Sequence, residues 1–196
     1  MTLILSKKYN PLFESKARYF IITGGRGSGK SFAVTVFLTL LTMSKGIRVL
    51  FTRFTMTSAH LSIIPEFLEK IGLLGFDETF NINKAEVVNA ENKSDILFRG
   101  IRTSAGNQTA SLKSLQGIST WVLDEAEELV DENIFDTIDL SIREKDIHNR
   151  IILILNPVTK EHWIYDRFFE SKGVEGGFNG VKDNVCYIHS TYLDNE

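Results

Sequence analysis

Residues 24–31 read GGRGSGKS and fit the spacing G-x-x-x-x-G-K-[ST] in full. The chemistry this supports is the binding of a polyphosphate. Glycines allow positive φ, so that successive backbone N–H groups turn onto phosphate oxygens. Gly24, Gly25, Arg26, Gly27, Ser28 and Gly29 would form the cradle, and a helix starting near Lys30 would aim its N-terminal dipole at the same anion. Lys30 would reach the β- and γ-phosphates, and the Ser31 hydroxyl would ligate Mg2+.

A phosphate loop that hydrolyses its ligand needs acids beside it. WVLDE supplies them, with Asp124 placed 94 residues after Lys30 at the end of an apolar run. Asp124 would hold Mg2+ through water, and Glu125 would orient and polarise the attacking water as the base. Glu127 and Glu128 read as the solvated face of the next helix. Asn156 follows the apolar run IILIL in LNP; it is either a sensor touching the γ-phosphate and the attacking water, or an Asn–Pro turn that stops a strand. Arg26 could supply transition-state charge to the γ-phosphate within its own subunit, or be a solvated loop residue. Tyr9 and Phe13 lie upstream of the first strand, where an aromatic could stack on adenine or pack at the surface. The four histidines (His60, His148, His162 and His189) lack metal-ligand spacing, and the lone Cys186 can form no internal disulfide.

These residues need a sheet to hold them. Arg18–Thr23 is a short apolar strand ended by the glycines. Lys30 to about Met43 is apolar nearly all round, and its length after a Gly-rich turn favours a buried helix over a strand. Arg48–Phe54 reads as a second strand, and Leu61–Ile71 as a helix with Ile64, Phe67, Leu68 and Ile71 on one face. Short strands near Phe80–Ile82, Glu86–Asn89 and Asp95–Phe98 suggest antiparallel hairpins, followed by a loop over Thr103–Ser114. The acidic strand, an acidic helix to about Arg143, the strand IILIL, a helix from about Glu161 to Ser171 and a last strand Val185–His189 complete the pattern. Alternating strands and helices imply a mainly parallel sheet covered on both faces, with the hairpins as an insertion or antiparallel edge.

The chain has 196 residues, 43% hydrophobic and 24% charged, which suits one globular domain and excludes a disordered or disulfide-built protein. No apolar run approaches the ~20 residues of a membrane span, so no membrane contact is expected. With 22 basic and 25 acidic residues, any nucleic-acid contact must be local. Lys84, Lys93 and Lys113 are the candidates for it.

The order YNPLF, RYFIITGGRGSGKSF, VLFTRF, ILFRGI, KSLQGI, VLDEAEEL, LNP and HSTYLDN resembles the ATPase domain of bacteriophage large terminase subunits, over essentially the whole chain. The resemblance implies an α/β P-loop NTPase of the additional-strand, catalytic-glutamate class. It implies ATP and Mg2+ as ligands, and hydrolysis coupled to translocation of double-stranded DNA into a procapsid. The implied partners are the portal and procapsid, the small terminase subunit and further copies of the chain in a ring, in the host cell cytoplasm. Carried onto this sequence, Gly24–Ser31 binds nucleotide, Arg26 is a catalytic arginine, Asp124 and Glu125 are the metal acid and the base, and Asn156 lies in the coupling motif. The adenine segment would fall at Tyr9–Phe13, although no glutamine stands there. On this reading residues 1–17 form an adenine-side segment, 18–170 the core, and 171–196 a last strand and the start of a linker toward a nuclease domain. A helicase-like ATPase and a nucleotide-gated interaction module are the alternatives.

Overall fold

The computed structural model describes residues 4–56, 63–103, 106–107, 112 and 114–194. In chain order it contains helix α1 (Asn10–Glu14), strand β1 (Tyr19–Gly24), helix α2 (Lys30–Leu41), strand β2 (Arg48–Thr55) and helix α3 (Ile63–Leu73). Strands β3 (Phe80–Ile82), β4 (Glu86–Asn89), β5 (Asp95–Thr103), β6 (Gly106–Asn107) and β7 (Thr120–Asp124) follow. Helix α4 (Glu132–Asp139), strand β8 (Arg150–Leu155), helix α5 (Trp163–Phe168) and strands β9 (Gly180–Lys182) and β10 (Val185–Ser190) complete it.

The strands form a single sheet in the order β3-β4-β5-β2-β7-β8-β1-β10-β9, with β6 paired to β5. From β5 to β10 every neighbour is parallel. Alternation along the strands splits the core in two. Phe20, Ile22, Val49, Phe51, Val122 and Ile152 pack under α1, α2 and α3 on one face. Ile21, Leu50, Trp121, Leu123, Ile151 and Leu153 pack under α4 and α5 on the other. Both faces are therefore apolar, as a parallel sheet with crossover helices demands. α2 is the buried helix its length suggested, with Ala33, Val34, Phe37 and Leu38 in the core.

The parallel arrangement brings the C-terminal ends of β7, β8, β1 and β10 to one edge. Asp124 pairs in register with Ile154, Thr23 with Leu155, and Gly24 with Ser190. That edge is where open α/β sheets bind ligands. β8 lies between the glycine-ended strand and the acid-ended strand, so loop and acids face each other across one strand's width.

Three expectations need correction. The middle strands do form an antiparallel edge, but β5 is longer than predicted and runs parallel to β2 inside the main sheet. On α3 it is Ile63 that is buried with Ile64, Phe67 and Ile71, while Leu68 is 43% exposed. The acidic stretch is broken: a 3-10 turn (Ala126–Glu128) precedes α4, whose N-cap is the Asp131 side chain accepting from the Asn133 N–H. Lys113 and most of the predicted 103–114 loop lie outside the described residues. Lys84 and Lys93 sit at the turns flanking β4, at the sheet edge remote from the acids. Among the described residues no helix is long and apolar enough to cross a membrane.

Candidate functional site

The loop between β1 and α2 is shaped by close approach. A Cβ on Gly24 would lie 2.1 Å from the Ser190 carbonyl oxygen, so β10 touches the loop's first residue and leaves no room for a side chain. Gly29 caps α2 in the left-handed conformation at φ 81°, which glycine adopts without steric cost. Ser28 Oγ donates to the Gly25 carbonyl at 2.8 Å, closing the turn between them. Lys30 Nζ donates to the Gly24 and Gly25 carbonyls at 2.6 and 2.9 Å. Burial pushes the Lys30 ammonium below its ordinary pKa, and the charges of Glu127 and Asp124 oppose that push.

Tyr9 supports this loop from beneath. Its ring is 2% exposed within the core, and its hydroxyl lies 2.8 Å from the Ser28 carbonyl and 2.7 Å from Ser190 Oγ. The expected stacking on adenine does not fit this placement, because no face of the ring is open. Phe13 does not line the cleft either; its ring meets Phe37 edge-on at 5.2 Å. Tyr9→Phe should leave the Ser28 carbonyl without its buried donor and destabilise the fold by about 1–2 kcal/mol. Urea unfolding of the variant checks this, with an unchanged midpoint as the contrary result.

β7 delivers Asp124, 3% exposed, to the edge of the cleft. The end of β2, its neighbour in the sheet, delivers Arg53. Arg53 Nε and its terminal NH2 lie 2.8 and 2.7 Å from Asp124 Oδ2, and Nε is 3.6 Å from Glu125 Oε2. Burial alone would depress the Arg53 guanidinium; the charge and hydrogen bond of Asp124, with the charges of Glu125 and Glu66, together outweigh it and hold it above its ordinary value. Glu125 sits at φ 54°, ψ 46°, a left-handed conformation that a residue with a Cβ rarely takes. Burial raises its carboxyl pKa, the negative charges of Asp124, Glu128 and Glu127 raise it further, and Arg53 opposes them. A carboxylate so placed is a stronger base than a solvated one.

Asn156 follows β8 and is held by Glu127: its Nδ2 donates to Oε1 at 2.6 Å and its backbone N–H to Oε2 at 3.3 Å. Glu127 therefore faces the cleft and not the solvated side of a helix. Arg26 is exposed on the rim of the loop. Together Gly25–Phe32, Arg53, Asp124, Glu125, Glu127 and Asn156 line one cleft of about 340 Å3, a volume suited to a small-molecule ligand. Phe32, Arg53 and Glu127 are the members that sequence reasoning missed.

The donor set fits Mg2+. The Asp124 carboxylate and the Ser31 hydroxyl would offer hard oxygen donors on the same cleft, and an ion bound there would share Asp124 with the Arg53 guanidinium. Among the described residues there is no group of three or more His, Cys, Asp or Glu that could hold a metal ion.

A family model described as phage terminase large subunit matches residues 16–196. The chain belongs to the phage terminase large subunit family. The large terminase subunit of Bacillus phage SPP1 is 24% identical over 211 residues, covering 97% of this chain and 47% of the SPP1 protein. The chain thus spans about half the length of that relative. The large terminase of a thermophilic bacteriophage superposes with a TM-score of 0.76 at 12% identity, over 98% of this chain and 47% of its own. The N-terminal domain of the DNA packaging ATPase from bacteriophage phi29 gives a TM-score of 0.69 at 17% identity, over 96% of this chain and 98% of that domain. At these identities the structural likenesses speak for the fold alone: a mostly parallel central sheet flanked by helices, as the terminase resemblance implied.

Proposed function

We propose that this terminase chain is the Mg2+-dependent ATPase unit of a viral DNA-packaging motor, coupling ATP hydrolysis to the translocation of double-stranded DNA into a procapsid. The observation that carries the reading is the single cleft joining the phosphate loop to Asp124, Glu125 and Asn156 from three adjacent strand ends. The same thermophilic phage's large terminase, also solved in complex with ATP-gamma-S, shares the fold at a TM-score of 0.70, which supports ATP as the ligand. In this reading the backbone N–H groups of Gly24–Ser31 and the Lys30 ammonium bind the phosphates. Ser31 and Asp124 would hold Mg2+, which would supply positive charge to the phosphates. Glu125 takes the proton of the attacking water. Asn156, held by Glu127, responds to the γ-phosphate and passes the change to β8. The motor acts as a homo-oligomeric ring with the portal, the procapsid and the small terminase subunit, in the host cell cytoplasm.

Phosphate release by the pure protein, with and without duplex DNA, tests the coupling. Slow turnover that rises with duplex DNA is expected. Turnover indifferent to DNA at every protein concentration would contradict the motor reading.

Arg26 is assigned charge stabilisation in its own subunit. It is exposed beside Gly27 and forms no ion pair among the described residues, so it is available to swing onto the γ-phosphate. Arginine contributions in this chemistry reach ~10³-fold or more. Specific activity should stay flat as the protein is diluted, and Arg26→Ala should abolish it. Restored turnover on mixing Arg26→Ala with Glu125→Ala would assign the role to a neighbouring subunit.

A further inference from the structure

The sheet order gives the bound polyphosphate a direction. Along the edge the strands run β7, β8, β1, β10. Asp124, Glu125 and Asn156 stand at the β7 and β8 ends, so the terminal phosphate they serve lies to that side of the loop. The nucleoside end then points toward β10. There the chain leaves Ser190 and turns through a short 3-10 segment, Tyr192–Asp194. A Cβ on Gly27 would lie 4.0 Å from the Tyr192 Cβ, which puts the tyrosine beside the phosphate loop. Its side chain is 69% exposed and has no hydrogen-bond or ring partner among the described residues.

The backbone beneath this ring is fixed. Asp194 Oδ2 accepts from the Thr191 N–H at 2.7 Å, from Thr191 Oγ1 at 2.9 Å and from Lys8 Nζ at 2.9 Å. The Thr191 backbone bond, Lys8 and the Thr191 hydroxyl together hold the Asp194 carboxyl down at about 2. Lys8 adjoins Tyr9, whose hydroxyl bonds the loop at Ser28, and Ser190 touches Gly24. The turn carrying Tyr192 is thus anchored to the same framework as the loop. We infer that Tyr192 is the stacking face for the purine base of the nucleotide, the role that neither Tyr9 nor Phe13 is placed to fill. The contact rests on the nucleotide reading above.

Aromatic stacking is lost with the ring and kept by phenylalanine. Calorimetric titration of wild type, Tyr192→Ala and Tyr192→Phe with ADP and with inorganic tripolyphosphate, both in Mg2+, tests the inference. Tyr192→Ala should raise the ADP Kd about tenfold while leaving tripolyphosphate binding unchanged, and Tyr192→Phe should bind both as wild type does. An alanine variant that binds ADP as tightly as wild type overturns the inference. So does one that loses tripolyphosphate equally, since the ring would then be shaping the loop. Wild type that binds neither probe would overturn the nucleotide reading itself, and the inference with it.

Discussion

Replacing Lys30 by Ala should abolish ATP hydrolysis and weaken ATP binding. Lys30 is the cation carried by the loop's own helix, and its ammonium is already within hydrogen-bond distance of the Gly24 and Gly25 carbonyls. Because burial depresses its pKa, part of the cost of desolvating this charge has been met by the fold before any phosphate arrives. Without it, charge gathering on the β- and γ-phosphates loses the cation fixed at the start of α2. The turnover loss should be at least ~10²-fold, the scale for removing one preorganised stabilising donor from a transition state. Phosphate release and nucleotide titration on folded variant, verified by circular dichroism, check this. Tight ATP binding with normal turnover would remove the phosphate-loop assignment.

Glu125→Gln should separate binding from chemistry. The amide keeps the shape and hydrogen-bonding reach of the carboxylate but cannot take a proton from water. ATP should still bind, because Lys30, Ser31 and Asp124 are untouched. Turnover should fall roughly 10²-fold or more, the usual scale for a positioned base. The neighbouring Glu127 is the natural substitute, but its two oxygens are engaged by Asn156 at 2.6 and 3.3 Å. A loss under about threefold at saturating ATP would move the base to another residue.

What the sequence revealed and what it concealed follow one physical division. GGRGSGKS, Asp124 and Asn156 were legible because each is local: a residue type fixed by the end of its own strand. Arg53 was not, because its role comes from β2 lying beside β7, a long-range pairing. Glu127 is hidden from helical periodicity because the left-handed backbone at Glu125 redirects the chain, and Glu127 comes to face the cleft. Tyr9 reads as an adenine-stacking or surface aromatic because the three-residue 3-10 turn that carries it has too little periodicity to show which side is buried. Likewise β5 gave a short strand beside a turn, with nothing in its own residues to announce a parallel neighbour 47 residues earlier, where Arg48 pairs with Asp95. Tyr192 sits in the quoted motif HSTYLDN, yet only the approach of Ser190 to Gly24 and of Tyr192 itself to Gly27 shows what it faces.

The central claim is that one cleft hydrolyses ATP, and steady-state phosphate release tests it most directly. Purified protein is incubated with ATP in Mg2+, in parallel with EDTA and with Lys30→Ala. The expected result is multiple-turnover phosphate release by wild type, lost on chelation and absent from the variant. Release by wild type no greater than that of Lys30→Ala, at any protein concentration and with duplex DNA present, would contradict the account.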